Sequence, residues 1–159
     1  MKLVPLVEFD SEISDLQQVG DTPFGNRKIY IVGGGRFWGE RINGIALPGG
    51  GDWVLVNQQG LARLDVRKTI KTNDGALINM SYQGYYQYDA DIMKKLEAGK
   101  GYNFGDTLFQ VQAQFETGDS AYSWLNTTLA VGEAKENGGN ICYRIYEMVS
   151  DNSNFVSAA

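Results

Sequence analysis

Asp65 and Arg67 stand two apart in a run that alternates apolar and polar residues, and they are one pair in the chain whose types suggest chemistry. Positions two apart on a strand point to the same side, about 7 Å from each other. A carboxylate and a guanidinium so placed would let Asp65 move a proton while Arg67 orients a carbonyl or carboxylate by charge-assisted hydrogen bonds. The alternation also permits a plainer reading, in which Leu64, Val66 and Ile70 fill the core and the pair belongs to an exposed polar row with Arg63, Thr69 and Lys71. Glu147 is the next candidate, because it shares its face of the last strand with Ile141, Tyr143 and Ile145. A carboxylate buried there has a raised pKa suited to a general acid or base, unless an Arg partner such as Arg67 makes it structural. Asp52 and Trp53 follow a glycine-rich turn, and Trp124 and Asn126 are expected on one face of a strand with Tyr122. These residues either wall a small-molecule pocket or serve as turn and core residues.

Several other chemistries lack their parts. The chain has no histidine, so Ser-His-Asp and Cys-His catalysis and His-ligated zinc are excluded. Its one cysteine, Cys142, can form neither an internal disulfide nor a thiolate metal cluster, a usage that fits a cytoplasmic setting. With 14 Lys and Arg against 19 Asp and Glu the net charge is −5, and no basic run tracks a phosphate backbone, so nucleic acid is not an expected partner. Gly33-Gly34-Gly35 and Gly49-Gly50-Gly51 are not followed by Lys-Ser/Thr and open no clear helix; they read as turns and bulges, not phosphate cradles. No apolar run has the length of a membrane span or of a signal peptide.

The elements that must hold these residues are strands. At 159 residues, with 43% hydrophobic and 21% charged residues, the chain has the composition of one soluble globular domain. Residues 1–150 are taken as that domain and 151–159 as a frayed polar tail. Twenty glycines against three prolines, beside a 12% aromatic content, suggest tight turns between aromatic-rich strands. Two-residue periodicity predicts strands over 3–18, 27–32, 36–47, 53–57, 61–71, 76–88, 107–116, 124–133 and 141–148. Asp74-Gly75 supplies a hairpin turn between the fifth and sixth of these. The single predicted helix runs from Asp91 to Ala98, with Ile92 and Leu96 on one face. Long strands with hairpin connections predict an all-β fold, a closed antiparallel barrel of eight or nine strands, since closure removes exposed edges.

The ordered motifs Gly34-Gly35-Arg36-Phe37-Trp38-Gly39, Leu47-Pro48-Gly49-Gly50-Gly51-Asp52-Trp53, Leu64-Asp65-Val66-Arg67, Thr72-Asn73-Asp74-Gly75-Ala76 and Phe115-Glu116-Thr117-Gly118-Asp119, followed by Tyr122 and Trp124-Leu125-Asn126, resemble domain of unknown function family 3237. The resemblance covers nearly the whole chain. It implies a small antiparallel barrel somewhat like allene oxide cyclase or a lipocalin, and it implies no assigned activity.

The residues that remain, carboxylates, Arg, Tyr and Trp, favour a cofactor-independent enzyme that shuttles protons on a small carbonyl compound: an isomerase, cyclase, hydratase or dehydratase. Its expected catalytic residues are Asp65, Arg67 and Glu147, with Asp52, Trp53, Trp124 and Asn126 at the substrate. A non-catalytic small-molecule-binding barrel is the alternative, and a structural protein the third. The expected partners are a small molecule and a second copy of the chain in a homodimer, with no membrane.

Overall fold

A computed structural model of the protein describes residues 1–137 and 139–151; residues 152–159 of the expected tail lie outside the described residues. The strands are β1 (Lys2–Thr22), β2 (Gly25–Trp38), β3 (Gly44–Ala46), β4 (Gly51–Val56), β5 (Leu61–Thr72), β6 (Leu77–Gln87), β7 (Phe109–Glu116), β8 (Ala130–Asn137) and β9 (Asn140–Val149). Helix α1 (Ala90–Glu97) follows β6, and a 3-10 helix (Ser120–Thr127) precedes β8.

All pairings are antiparallel, and the sheet closes on itself as an all-β barrel. Residues 2–11 of β1 pair with β9 while residues 8–22 pair with β2, so this one long strand joins the two ends of the sheet. The short strands β3 and β4 occupy successive stretches of a single slot between β2 and β5.

Alternation then sorts the side chains. On β7, Phe109, Val111, Ala113 and Phe115 are buried and the residues between them are exposed. On β5, Ala62, Leu64, Val66, Lys68, Ile70 and Thr72 point inward. The inner faces meet in one aromatic and aliphatic core. At one end Phe37, Ile42, Ile78, Phe115 and Leu125 of the 3-10 helix are buried together and plug the barrel. At the other end α1 lies over the opening and contributes buried Ile92.

The 3-10 helix corrects the expectation of a strand beginning at Trp124. Asp119 caps it by accepting from the Ala121 N–H, and Tyr122, Trp124 and Asn126 therefore do not share a strand face. The expected strand over 36–47 also breaks, ending as β2 at Trp38 and resuming as β3 at Gly44. Helix α1 forms as expected, capped by Asp89, which accepts from the N–H groups of Asp91 and Ile92.

Gly33-Gly34-Gly35 lies within β2, not in a turn, opposite register shifts in β1 between Glu12 and Asp15. Gly35 has φ +141°, and a Cβ there would lie 2.1 Å from the Asp10 carbonyl oxygen, so the two backbones touch beside the register shifts of β1. Gly49 also has positive φ, at +106°, but nothing lies within 4 Å of a Cβ placed on it. Gly35→Ala should therefore destabilise the barrel by on the order of 3 kcal/mol, from strain plus clash. Gly49→Ala should cost about 1 kcal/mol, from conformational strain alone. Urea unfolding of the two variants checks this difference.

Candidate functional site

Between the plugged end and α1 the barrel encloses a cavity of about 510 Å³, a volume typical of small-ligand sites. Its walls are mainly aromatic: Tyr82, Tyr86, Phe109 and Tyr143, with Tyr30 and Tyr88 toward the mouth. Phe9 stacks on Tyr143 at 4.5 Å between ring centroids and Tyr86 on Phe109 at 4.6 Å, while Phe109 meets Tyr143 edge-on at 5.7 Å. Such pairs fix ring orientations beyond what area burial alone would do.

Asp52 reaches this cavity from β4 and Lys68 is buried behind its wall on β5, while Lys28, Glu97 and Glu136 also line it. Register places Tyr30, Asp52, Val66 and Tyr82 in one row across β2, β4, β5 and β6. Asp52 shares its inward phase with Val54, and its Oδ1 accepts a hydrogen bond from the Asp65 backbone N–H at 3.0 Å. Burial raises its pKa to about 7, against the downward pull of that hydrogen bond. Lys68 lies one inward position beyond Val66 on β5 and is only 3% exposed. Its Nζ donates to Ser11 Oγ at 2.8 Å and sits over the Phe9 ring, 3.8 Å from the centroid. Burial lowers its pKa to about 7, with Asp10 at longer range opposing the shift. Ser11, Tyr82 and Tyr143 form the cavity floor at this level.

The tyrosines remain neutral. Burial raises Tyr82 and Tyr143 well above the usual phenol range. Tyr86 and Tyr102 perturb one another, yet both hydroxyls are buried without a well-formed hydrogen bond. Glu136 lines the mouth, where burial also raises its pKa.

The residues singled out from sequence are scattered by this geometry. Asp65 and Arg67 do point to one side, but it is the outer side, opposite in phase to Leu64, Val66 and Lys68. The Arg67 side chain is 68% exposed and its Nη2 lies 3.7 Å from Asp65 Oδ2. Of the two readings open to the pair, alternation thus selects the exposed polar row over the lumen. Trp53 likewise faces outward, 40% exposed, next to inward Asp52. Glu147 finds an Arg partner, Arg41 rather than Arg67, at 2.5 Å. The Arg41 guanidinium lies 4.0 Å from the centroid of the Trp124 ring. Asn126 Oδ1 accepts from Thr117 N–H and its Nδ2 donates to Thr117 O. Glu147, Trp124 and Asn126 therefore fasten the 3-10 helix over the plugged end, away from the cavity. Of the seven, Asp52 alone lines the cavity. Lys68 and Ser11 were passed over in the sequence, although each continues the inward phase of its strand: Val7, Phe9, Ser11 and Leu64, Val66, Lys68.

The profile of the family described as "Protein of unknown function (DUF3237)" matches residues 1–148. The chain belongs to DUF3237. A beta-barrel like protein of known structure from Acinetobacter baumannii is 36% identical, with 92% of this chain and 94% of that one covered and a TM-score of 0.78. A conserved protein of unknown function from Rhodopseudomonas palustris superposes with a TM-score of 0.83 at 24% identity, over 93% of this chain and 97% of that one. An enzyme from Penicillium herquei shares the fold at 19% identity and a TM-score of 0.68, over 92% of this chain and 94% of that one. Among the described residues no helix is long and apolar enough to cross a membrane.

The buried lysine carries a thermodynamic signature. Its folded pKa lies below the unfolded value, so between about pH 7 and 10.5 the unfolded chain binds more protons at this site, and stability rises with pH across that window. The slope from one such proton is at most about 1.4 kcal/mol per pH unit. Lys68→Met should therefore exceed wild type in stability at pH 6, and the gap should close toward pH 10.5. Chemical denaturation of both proteins across that range measures it; a gap independent of pH would contradict the buried ammonium.

Proposed function

We propose that this protein is a cofactor-independent enzyme that moves protons on a small carbonyl compound held in the barrel lumen, as an isomerase, cyclase, hydratase or dehydratase does. The observation that carries the reading is Asp52, a carboxylate set among aromatic walls with one oxygen held by a backbone N–H. A base works best when its pKa lies near the working pH. A carboxylate raised to about 7 meets that condition for removing a proton from carbon next to a carbonyl. Tyr82 and Tyr143 stay neutral at working pH and interact hydroxyl to hydroxyl, which leaves one O–H of the pair to donate to a carbonyl oxygen. The apolar walls would exclude bulk water from the bound compound and strengthen each of these interactions. The Penicillium herquei protein supports the reading only to the extent that the same barrel serves an enzyme there.

The alternative is a barrel that binds such a molecule without turnover, and its argument is the finished geometry of the cavity irrespective of Asp52. One experiment separates the two. A panel of small aryl ketones is screened for binding by the fluorescence of the cavity tyrosines, and each binder is incubated in deuterated water while α-hydrogen exchange is followed by NMR. The wild type should accelerate exchange, with a rate that rises with pH through about 7 as Asp52 ionises. Asp52→Asn should lose at least about 100-fold of that rate while still binding the ketone. Binding without accelerated exchange in the wild type would favour the binder.

A further inference from the structure

Lys68 is a fully buried cation without a counter-ion. None of the ion pairs among the described residues includes it. The groups that face its Nζ are Ser11 and Phe9 from β1, Tyr82 from β6 and Tyr143 from β9, with Asp10 acting from farther away. Rings and a hydroxyl solvate an ammonium only in part, so this site stores a large electrostatic penalty. An arriving negative charge would relieve it.

The hydrogen bond to Ser11 determines where such a charge would sit. Because Nζ donates to Ser11 Oγ, the serine directs its own O–H away from Lys68, toward the Tyr82 hydroxyl and the cavity whose floor both residues line, and a ligand oxygen there competes with Tyr82 for it. A ligand oxygen at the floor would thus accept from Ser11, whose hydroxyl is polarised by the ammonium behind it. Higher on the wall, the buried Tyr86 hydroxyl faces that of Tyr102 without a well-formed hydrogen bond, so a ligand oxygen there would complete a pair the protein leaves imperfect. The two points lie on an aromatic enclosure that accepts flat molecules face-on or edge-on.

We propose that the Ser11–Lys68 floor is an anion subsite for a planar, delocalised oxyanion, an enolate or a phenolate, with Ser11 touching the charged oxygen and Lys68 acting behind it as a positioning residue. Delocalisation fits the walls, since a compact carboxylate would keep its full charge against aromatic faces that repel it. This deepens the proton-transfer reading and rests on it for one statement: that the enolate formed when Asp52 removes a proton is the species stabilised there. The subsite itself stands apart from turnover, and so does its test.

The probe is 4-nitrophenol, whose phenolate is seen directly by its yellow absorption, with 4-nitroanisole as an uncharged partner of the same shape. Spectrophotometric titration of the bound phenol in wild-type protein should show its ionisation shifted down by at least about one pH unit relative to free phenol, equivalent to a tenfold preference for the anion. Lys68→Met should abolish that shift while 4-nitroanisole affinity stays within about twofold, and Ser11→Ala should reduce the shift. Asp52→Asn should retain it. The uncharged anisole reports whether each variant keeps its cavity, so loss of fold is read separately. Binding of the phenol only in its neutral form, or an undiminished shift in Lys68→Met, would overturn the subsite. A preserved shift with no ketone exchange would instead leave the subsite standing and remove the proton-transfer reading.

Discussion

Ring closure is the constraint from which everything else in this protein follows. A 21-residue β1 pairs with β9 through its first half and with β2 through its second, and no edge remains along the stretch where it holds both partners. Once the sheet is closed, the two faces of every strand cease to be equivalent: one meets solvent and the other meets eight further strands. Side-chain phase is then a functional variable, because a shift by one residue moves a group from water to the lumen. The close contact of Gly35 with the Asp10 carbonyl belongs to the same constraint, since the bend that lets β1 and β2 turn together leaves no room there for a side chain.

Closure also creates the electrostatics. Asp52 and Lys68 would be ordinary ionised residues on an open sheet. Inside the ring both lose water, and desolvation moves their pKa values toward one another, to about 7 in each case. They are not a salt bridge: Asp52 is held by the Asp65 N–H and Lys68 by Ser11, on successive inward positions of adjoining strands. Direct pairing would have fixed both in their charged forms and left neither free to exchange a proton. Separation by one layer keeps each responsive to what enters the cavity. That is the physical reason a structural ion pair such as Arg41 with Glu147 belongs at the plugged end.

The fold was largely legible in the sequence, and the site was not. Two-residue periodicity in 61–71 gave the right face to Leu64, Val66 and Ile70 and equally to Arg63, Thr69 and Lys71. The same rule, carried to its end, assigns Lys68 to the core and Asp65 and Arg67 to the outside. Lysine is seldom buried, so a lysine in an apolar phase is the informative exception to the pattern. Ser11 continues Val7 and Phe9 in the same way. What periodicity could not supply is the partner across the barrel: Ser11 and Lys68 are 57 residues apart and meet only because the ring closes. The 3-10 helix at Ser120–Thr127 was hidden for another reason. Its Tyr122, Trp124 and Asn126 alternate as a strand would, and only the Asp119 cap marks the turn.

The motifs that identify the family and the residues that equip the cavity are therefore different sets, which meet at Asp52. Gly49-Gly50-Gly51 brings β4 tightly against β5, where a Cβ on Gly50 would lie 2.5 Å from the Arg67 carbonyl oxygen. That approach sets the register in which Asp52 faces Val66 and takes the Asp65 N–H. Asp65 thus contributes to the lumen after all, through its backbone, while its side chain stays outside. The conspicuous Leu64-Asp65-Val66-Arg67 run is the wall that holds the carboxylate, and the less conspicuous residue that follows it, Lys68, supplies the charge beneath.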